Sequence, residues 1–360
     1  MKVLAINSSA RPAGQTKTGM MLESLVKGMS EAGAETEVVD LRKKDIRYCI
    51  GCYTCWTKTP GTCILKDDMT AELFPKWLAS DLVVYASPLF HFTINAQMKT
   101  FIERTLPVLQ PFFVKKGEET VHPWRHRHPR VVMLSVCGFP ELSAFGQLSS
   151  WARYVFGRSG HLAAEIYRPM AEVMAQPQAK MKAKALEILR AVEKAGREIV
   201  KNGSVSAATM AVITQDLMED PECFLQHSGN LMWKTCIDEK VTPKEFAEKN
   251  MTPRPDSIDG YLDVMSFGFN AAAAKDLKAV YQFAFTGGPE GTCHFSIADG
   301  KIRPSSGPAE KPDITITAPF DLWMDIVTKK ADGQQMFLEQ KYTVEGDLNL
   351  LLRMNELFGA

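Results

Sequence analysis

Short apolar runs alternate with helical periods along residues 1–200. Lys2 to Ile6 reads as a buried strand, and Leu22, Leu25, Val26 and Met29 mark one face of the helix after it. Further strands are predicted at Thr36 to Val39, Leu82 to Ala86, Arg130 to Val136 and Ala164 to Tyr167. Helices are predicted from about Ala96 to Leu106, through Trp151, and from about Gln178 to Val200. Strands and helices in this order predict a parallel sheet covered by helices on both faces. Asn202-Gly203 ends the last helix and Ser204 to Ser206 loosens the chain, which sets a first domain at residues 1–205. Residues 206–260 hold scattered apolar positions and the run TPRPDSIDG, and read as a helical connector.

The period changes near Tyr261. Tyr281, Phe283 and Phe285 alternate with Gln282, Ala284 and Thr286, Gly287-Gly288 turns the chain, and Cys293, Phe295 and Ile297 alternate again. Asp299-Gly300 is a hairpin signal. Ile314 and Ile316 give a strand, and Leu322, Trp323, Ile326 and Val327 a helix. Tyr342 to Glu345 gives a short strand, and Leu348, Leu351, Leu352 and Phe358 a terminal helix. Residues 261–360 therefore read as a separate α+β domain built on antiparallel hairpins.

Composition supports two folded domains: of 360 residues, 45% are hydrophobic and 23% charged. With 42 basic and 42 acidic side chains the net charge is zero, so no global field draws the chain to nucleic acid or an anionic membrane. The opening MKVLAINSSARP turns polar after six residues, too early for a signal peptide or membrane span, and the expectation is a cytoplasmic protein.

Candidate chemistry sits at the strand ends. Between the first strand and its helix lies Asn7-Ser8-Ser9-Ala10-Arg11-Pro12-Ala13-Gly14-Gln15-Thr16, a hydroxyl-rich loop at a helix N-terminus and so an anion site. It has neither the Gly-Lys-Ser/Thr of a Walker loop nor a GxGxxG, which favours a monophosphate. Two later strands end in Ser87-Pro88-Leu89-Phe90-His91-Phe92-Thr93-Ile94-Asn95 and Ser135-Val136-Cys137-Gly138-Phe139-Pro140. Ligands of open α/β sheets bind beyond such ends, and apolar side chains beside free backbone groups suit a flat heteroaromatic ring. The competing reading makes Phe90 and Phe92 core residues.

Half of the eight cysteines lie in YCIGCYTCWTKTPGTCILKDDM, as Cys49, Cys52, Cys55 and Cys63. In a reducing cytosol such a group binds metal, does redox chemistry or is buried. The C-x2-C-x2-C-x7-C spacing can hold a [4Fe-4S] cluster. It suits zinc less, because three crowded ligands fill one side of a tetrahedron. HPWRHRHPR, from His122 to Arg130, reads as a solvated loop at the rim of the site or an oligomer contact.

The motifs NSSARPAGQT, GTCILKDDM, SPLFHFTINAQMKTFIER and SVCGF, in this order, resemble the flavodoxin-like NAD(P)H-dependent FMN reductases over about residues 1–200. That resemblance implies a doubly wound parallel five-stranded sheet. It implies FMN phosphate at Ser8, Ser9, Arg11, Gly14, Gln15 and Thr16, and the flavin ring against Pro88, Leu89, Phe90, His91, Phe92 and Thr93. Ser135, Cys137, Gly138 and Phe139 would close the other side. Phe90 departs from the family's frequent tyrosine. His91 is either a hydrogen-bonded structural histidine or a proton donor. The implied activity is an NAD(P)H-dependent FMN oxidoreductase passing electrons to a quinone, flavin or other small or apolar acceptor. The flavin carries the redox chemistry, so no catalytic side chain is assigned.

Two readings of the cysteine loop remain open. Iron–sulfur flavoproteins, a branch of this family, carry a similar compact motif and hold a cluster. Members without a cluster share the CxGCxxCW segment and the Asp-Asp-Met ending as a lid near the flavin, with Asp67 or Asp68 capping the next helix. A flavin and iron–sulfur electron carrier with a ferredoxin-type partner is the corresponding second function, and a homo-oligomer is expected.

AVYQFAFTGGPEGTCHFSIADGKI, KPDITITAPFDLWMDIV and YTVEGDLNLLLRMNELF resemble the sterol-carrier-protein family. The resemblance implies a five-stranded antiparallel sheet with helices over one face, enclosing an apolar tunnel for a lipid-like ligand. Burial of such a ligand is favourable by roughly 25 cal/mol per Å². The competing reading has Phe283, Phe285, Phe295, Leu322, Trp323 and Leu351 filling the core. A third function follows, a lipid-binding protein whose flavodoxin-like half is scaffold.

Overall fold

Five strands pair side by side, all parallel, in the first part of the chain: β1 (Lys2–Asn7), β2 (Glu35–Asp40), β3 (Leu82–Pro88), β6 (Arg130–Val136) and β7 (Leu162–Arg168). A small antiparallel hairpin, β4 (Val114–Lys116) and β5 (Glu119–Val121), stands apart. The computed structural model describes all residues except Ala13, Gln15, Pro177, Gln178, Glu219, Gly359 and Ala360. They divide into two units, Met1–Met218 and Glu219–Ala360.

Sheet order is β2-β1-β3-β6-β7, so the strand order reverses between β1 and β3, the switch point of a flavodoxin-like sheet. Alternate side chains feed the two faces. Leu4, Ile6, Val83, Tyr85, Val131 and Met133 pack in one core with Trp77 of α2 (Phe74–Ala79), Met98 and Phe101 of α3 (Ala96–Glu103) and Leu148 of α4 (Gly146–Ala152). The other face is covered by α1 (Lys17–Glu31), which runs against β1, β3 and β6 and against the long α5 (Ala179–Asn202).

Helices α1 and α5 meet through glycine. A Cβ at Gly28 would lie 1.8 Å from the carbonyl oxygen of Glu193, and one at Gly196 would lie 2.2 Å from that of Leu25. Only hydrogen at these two positions lets the backbones approach. Helix α6 (Ala207–Ile213) belongs to this unit. The Glu198 carboxylate accepts from Ser206 N–H (2.8 Å) and Thr209 Oγ1 (2.9 Å), and buried Arg168 donates to the carbonyls of Ile213 and Gln215 at 2.8 and 2.7 Å. The first unit thus runs past the loosened Ser204 to Ser206 stretch.

The histidine-rich tract lies away from one of its two expected places, the rim of the strand-end site. It leads into the amino end of β6, whereas a ligand edge lies at the strands' carboxyl ends. His128 is buried rather than solvated, its ring edge-on to Trp77 and Trp124 and 4.7 Å from that of His161. His122 instead packs on Trp56 of the cysteine loop.

The second unit opens with helices α7 (Pro221–Phe224), α8 (Asn230–Asp238), α9 (Pro243–Glu248) and α10 (Ile258–Gly268). A sheet follows, in order β10-β9-β8-β11-β12, from β8 (Ala279–Thr286), β9 (Gly291–Ala298), β10 (Lys301–Ser306), β11 (Ile314–Pro319) and β12 (Thr343–Gly346). Asp299 and Gly300 both take positive φ, 52° and 68°, as the two-residue turn between β9 and β10 requires. Three pairs are antiparallel, as expected, but β8 and β11 run parallel, so the sheet is mixed. The cause is the crossing between β10 and β11, where Ala309 N–H donates to Gln282 Oε1 (2.8 Å) on the polar side of the sheet.

The apolar side is covered by α10, by α11 (Phe320–Val327) and by α13 (Leu348–Phe358). Tyr261, Phe283, Phe285, Phe295, Phe320 and Trp323 interlock edge to face or tilted, and Trp323 Nε1 donates to the Tyr261 hydroxyl at 3.1 Å. Of the expected core set, Leu322 and Leu351 are only half-buried. On α13 the fully inward residues are Leu350 and Leu357, two turns apart, while Leu348 and Leu352 face out. Helix α12 (Gly333–Leu338) also exposes its last residue, Leu338.

Two measurements check this packing. Gly28→Ala should destabilise the protein by about 1–3 kcal/mol, because its methyl group meets backbone that cannot yield, and chemical denaturation would read the loss. Burial, reinforced by His161, pushes His128 down from 6.5 to about 4. The unfolded chain then takes up the proton first, so stability is full above about pH 7 and falls as pH drops from 6.5 toward 4, by roughly 3 kcal/mol in total. His161 is shifted in the same direction by burial and adds to the slope. Denaturation at stepped pH should show this slope shallower in His128→Phe.

Candidate functional site

The loops after β1, β3 and β6 adjoin because their strands are neighbours, and short polar ties lock them together. Ser8 donates both N–H (2.9 Å) and Oγ (3.1 Å) to the Ala86 carbonyl of β3. Asn95 caps α3 by accepting from Met98 N–H (3.1 Å), while its Nδ2 donates to the Ser8 carbonyl at 2.6 Å. Leu89 N–H donates to the Val136 carbonyl at 3.0 Å, joining the second loop to the third. Asn7 supports the first loop from the side, accepting from Ser9 N–H (3.1 Å) and donating to Asp40 of β2 (2.9 Å).

Within the first loop the expected anion ligands take different roles. The Ser8 hydroxyl is committed to β3 and acts as a clamp. Ser9 has no hydroxyl partner among the described residues, and Arg11 is exposed with no ion-pair partner among them. Thr16 caps α1 by accepting from Gly19 N–H at 3.0 Å, which leaves its hydroxyl proton to donate outward. Helix α1 has no acidic residue in its first turn, so its positive end is unopposed there. Gly14 is exposed at φ 79°, and Gln15 lies outside the described residues.

The second loop is strained where it carries its rings. Phe90 and Thr93 exchange backbone hydrogen bonds of 2.9 and 3.0 Å around His91 and Phe92, both at positive φ (47° and 62°). Glycine and asparagine are the usual residues in such turns, and bulky side chains there cost about 1–3 kcal/mol each. The conformation displays rings. Phe90 and Phe92 are 55% and 48% exposed, so neither is core, and Phe92 stacks on half-exposed Phe139 of the third loop at 5.6 Å. His91 is exposed and hydrogen-bonded to nothing among the described residues, which removes its structural reading. Pro88, Leu89 and Thr93 are half-buried beside these rings, Gly138 is exposed, and Cys137 is buried, its thiol pushed up to about 11 by burial. Ser135 is fully buried, and its hydroxyl has no hydrogen-bond partner among the described residues.

The cysteine loop is closed at its neck. Asp45 N–H donates to Asp68 Oδ2 (2.8 Å), Arg47 N–H to Asp67 Oδ2 (3.0 Å), and Arg47 Nη2 to the Lys66 carbonyl (2.7 Å). Asp67, rather than Asp68, caps the helical segment from Met69, accepting from Thr70 N–H at 3.2 Å. Arg104, at the end of α3, pairs with Asp67 through two bonds of 2.6 and 3.0 Å in full burial. Burial alone would raise the Asp67 carboxyl, but the Arg104 guanidinium and two backbone N–H groups hold it below its ordinary value. Trp56 leans on Tyr53 and His122 and donates to the Leu106 carbonyl at 3.2 Å.

Inside that loop, Cys49, Cys52, Cys55 and Cys63 wall one open hollow with Ile50, Ile64 and Arg104. All four are free thiols. Burial, then Cys63, Cys49 and Cys52 in turn, push Cys55 up to about 11, so the other three sulfurs lie within electrostatic reach of Cys55. Among the described residues no three cysteine, histidine or carboxylate side chains are placed to hold one metal ion.

Sequence reasoning passed over Asn7, Asn95 and Arg104. Asn95 was detectable as a capping residue directly before a helical run. Arg104 carried no local signal, because its partner lies 37 positions away.

An open doubly wound sheet with its polar and aromatic loops at the β1/β3 switch point defines a flavodoxin-like unit. Residues 1–137 match the NADPH-dependent FMN reductase family, and residues 269–359 the SCP-2 sterol transfer family. An iron-sulfur flavoprotein of Archaeoglobus fulgidus is 42% identical over 107 residues, 30% of this chain and 46% of the relative. Another, from Methanocaldococcus jannaschii, is 33% identical over 108 residues, 30% of this chain and 53% of the relative. The matches span about half the length of these relatives. Among solved structures, an NAD(P)H:quinone oxidoreductase from Methanothermobacter marburgensis aligns at TM-score 0.42 and 18% identity, covering 55% of this chain and 96% of that one. Sterol Carrier Protein 2 from Yarrowia lipolytica aligns at TM-score 0.24 and 21% identity, covering 28% of this chain and 91% of that one. No helix among the described residues is long and apolar enough to cross a membrane.

The Arg104–Asp67 pair offers a direct check. Asp67→Asn leaves a buried guanidinium without its counter-charge and should cost about 3–5 kcal/mol, read by equilibrium denaturation.

Proposed function

We propose that the chain is an FMN-dependent NAD(P)H oxidoreductase whose second unit handles an apolar ligand or acceptor. The observation that carries this reading is the meeting of a hydroxyl-rich helix N-terminus with three exposed phenylalanines at adjacent strand ends. Ser9, Arg11, Thr16 and the first turn of α1 would hold a monophosphate. Phe90, Phe92 and Phe139 would lie against the ring, with the backbone near Gly138 open to its polar edge. Bound FMN supplies hydride acceptance and the return of electrons singly or in pairs. The protein's part is to hold the ring where NAD(P)H and then a small or apolar acceptor, such as a quinone or flavin, can reach its open face. The family match and the names of the relatives support the same reading. Exposed Phe112 and Phe113 support a homo-oligomer, and exposed Leu338, Leu348 and Leu352 support apolar contact at the second unit.

The four-thiol hollow favours a second reading, a flavin and iron–sulfur electron carrier serving a ferredoxin-type partner. The donor set fits. Four free thiols line one hollow, and a cationic cage would draw them together as thiolates. Cys49, Cys52, Cys55 and Cys63 would hold a [4Fe-4S] cluster, which supplies one-electron transfer.

Anaerobically purified protein should be yellow, bind FMN and oxidise NAD(P)H with quinone. Colourless protein that FMN cannot reconstitute overturns the flavin reading. Iron and acid-labile sulfide analysis decides the cluster, and electron exchange with ferredoxin separates carrier from enzyme. Arg11→Ala should weaken FMN about tenfold, or ~1.4 kcal/mol, while leaving riboflavin affinity unchanged, because only FMN carries the phosphate. Native mass spectrometry after incubation with lipid extract tests the second unit.

A further inference from the structure

At the amino ends of β3, β6 and β7, on the sheet edge opposite the strand-end loops, Asp81, Arg127, His128, Arg130 and His161 wall a cavity of ≈ 430 Å³. Its two imidazoles are fixed in the same tautomer. His128 Nδ1 lies 2.6 Å from the Pro129 carbonyl and so carries the proton. Ser159 gives its hydroxyl proton to the Phe156 carbonyl (3.2 Å), so its oxygen accepts from His161 Nδ1 at 2.6 Å. Nε2 of each ring is left as an unprotonated acceptor with no hydrogen-bond partner among the described residues, although His128 is only 8% exposed. The rings lie 4.7 Å apart.

Two guanidinium groups on the same cavity have donors to spare. Arg127 Nη2 donates to Asp81 Oδ1 (2.6 Å) and the Ser80 carbonyl (3.4 Å), and Arg130 Nη2 to the Gly203 carbonyl (2.6 Å). Their other side-chain N–H groups meet no acceptor among the described residues. Two bare imidazole nitrogens by themselves would suit a metal ion, but the surrounding charge opposes one. The carboxylate of Asp81 is already claimed by Lys2 N–H (2.8 Å) and Arg127, while Arg130 and, toward His161, Lys116 of β4 add positive charge. Such a surplus favours an anion.

We infer that this cavity binds a phosphate group, free or as a monoester, that accepts from Arg127 and Arg130 and shares acidic protons with Nε2 of His128 and His161. Burial holds His128 at about 4 and, with Lys116, lowers His161, so without an anion both rings are mainly neutral at pH 7. A bound anion stabilises the charged imidazole, and below about pH 6 a phosphate monoester brings an acid proton of its own. Binding therefore takes up protons, and affinity rises as pH falls from about 7 toward 4. The guanidinium groups stay charged throughout this window, and Lys2 N–H and Arg127 hold Asp81 below its ordinary value and so keep it ionised.

Full-length protein would be titrated with inorganic phosphate at about pH 6, with its imidazoles followed by ¹⁵N-edited NMR. The His128 and His161 resonances should shift together and saturate, and Arg11→Ala, at the opposite edge of the sheet, should leave that curve unchanged. Arg130→Gln should weaken binding about tenfold, as should Arg127→Gln, whose exposed side chain can be lost without threatening the fold. Sulfate carries no proton in this range and isolates the uptake by the imidazoles: its affinity should rise by up to about tenfold per pH unit for each proton taken up. Phosphate should also flatten the loss of stability below pH 6.5 that His128 causes, since the anion-bound fold accepts the proton too. Glycerol 3-phosphate distinguishes the sources: binding as tight as phosphate or tighter supports a monoester, weaker binding the free ion. Imidazole resonances unmoved by tens of millimolar phosphate, or moved equally by chloride, overturn the proposal. A response to zinc ion with none to phosphate overturns it in favour of a metal.

Discussion

One buried ion pair, Arg104 with Asp67, holds the cysteine loop against the first unit. The loop from Asp45 to Asp68 has little apolar anchorage: Tyr48, Ile50, Tyr53 and Ile64 are exposed, and of its cysteines only Cys55 is buried. What fixes it is polar. Asp67 receives Arg47, Thr70 and Arg104 together, so the neck of the loop, the start of the next helix and the end of α3 meet at one carboxylate. Such a pair gains little over a well-packed apolar contact, but removing one partner strands a charge in the interior. It therefore specifies a geometry more than it adds stability, and that geometry turns four thiols toward one hollow.

The same principle governs the strand ends. A parallel sheet needs both faces for its helices, which leaves its carboxyl edge to loops, and loops cannot be held by a core. Here they are held by Ser8, Asn7 and Asn95, whose bonds run between neighbouring strands. With the backbone so fixed, the second loop can keep two non-glycine residues in the left-handed region and hold Phe90 and Phe92 away from the interior. Strain at this edge is supported by the flanking ties to Ser8 and Val136.

The second unit is stabilised differently. Its interior is a network of aromatic rings centred on Tyr261, which contacts Phe283, Phe285 and Phe295 and accepts from Trp323. Complete burial raises the Tyr261 hydroxyl far above its ordinary range and keeps it neutral, so the network carries no charge at its centre. Apolar side chains that this core does not use, Leu338, Leu348 and Leu352, are left on α12 and α13.

Periodicity alone determined the strands of the first sheet, all but β10 of the second, the long helices and the parallel character of the first sheet. Those follow from which residues seek water, a property of each side chain and its near neighbours. The motifs likewise marked the three strand-end loops and the cysteine cluster, because loops carry their chemistry in consecutive residues. Pairing across the chain was not legible. The parallel β8–β11 pair depends on where the β10–β11 crossing lies, the burial of His128 on rings brought in from α2 and from His161 just before β7, and the outward Leu348 and Leu352 on the setting of α13 against the sheet. Asp67 with Arg104, and Asn95 with Ser8, join residues dozens of positions apart. Each is ordinary in its local sequence, and only the folded chain, by excluding water from between the partners, makes those contacts decisive.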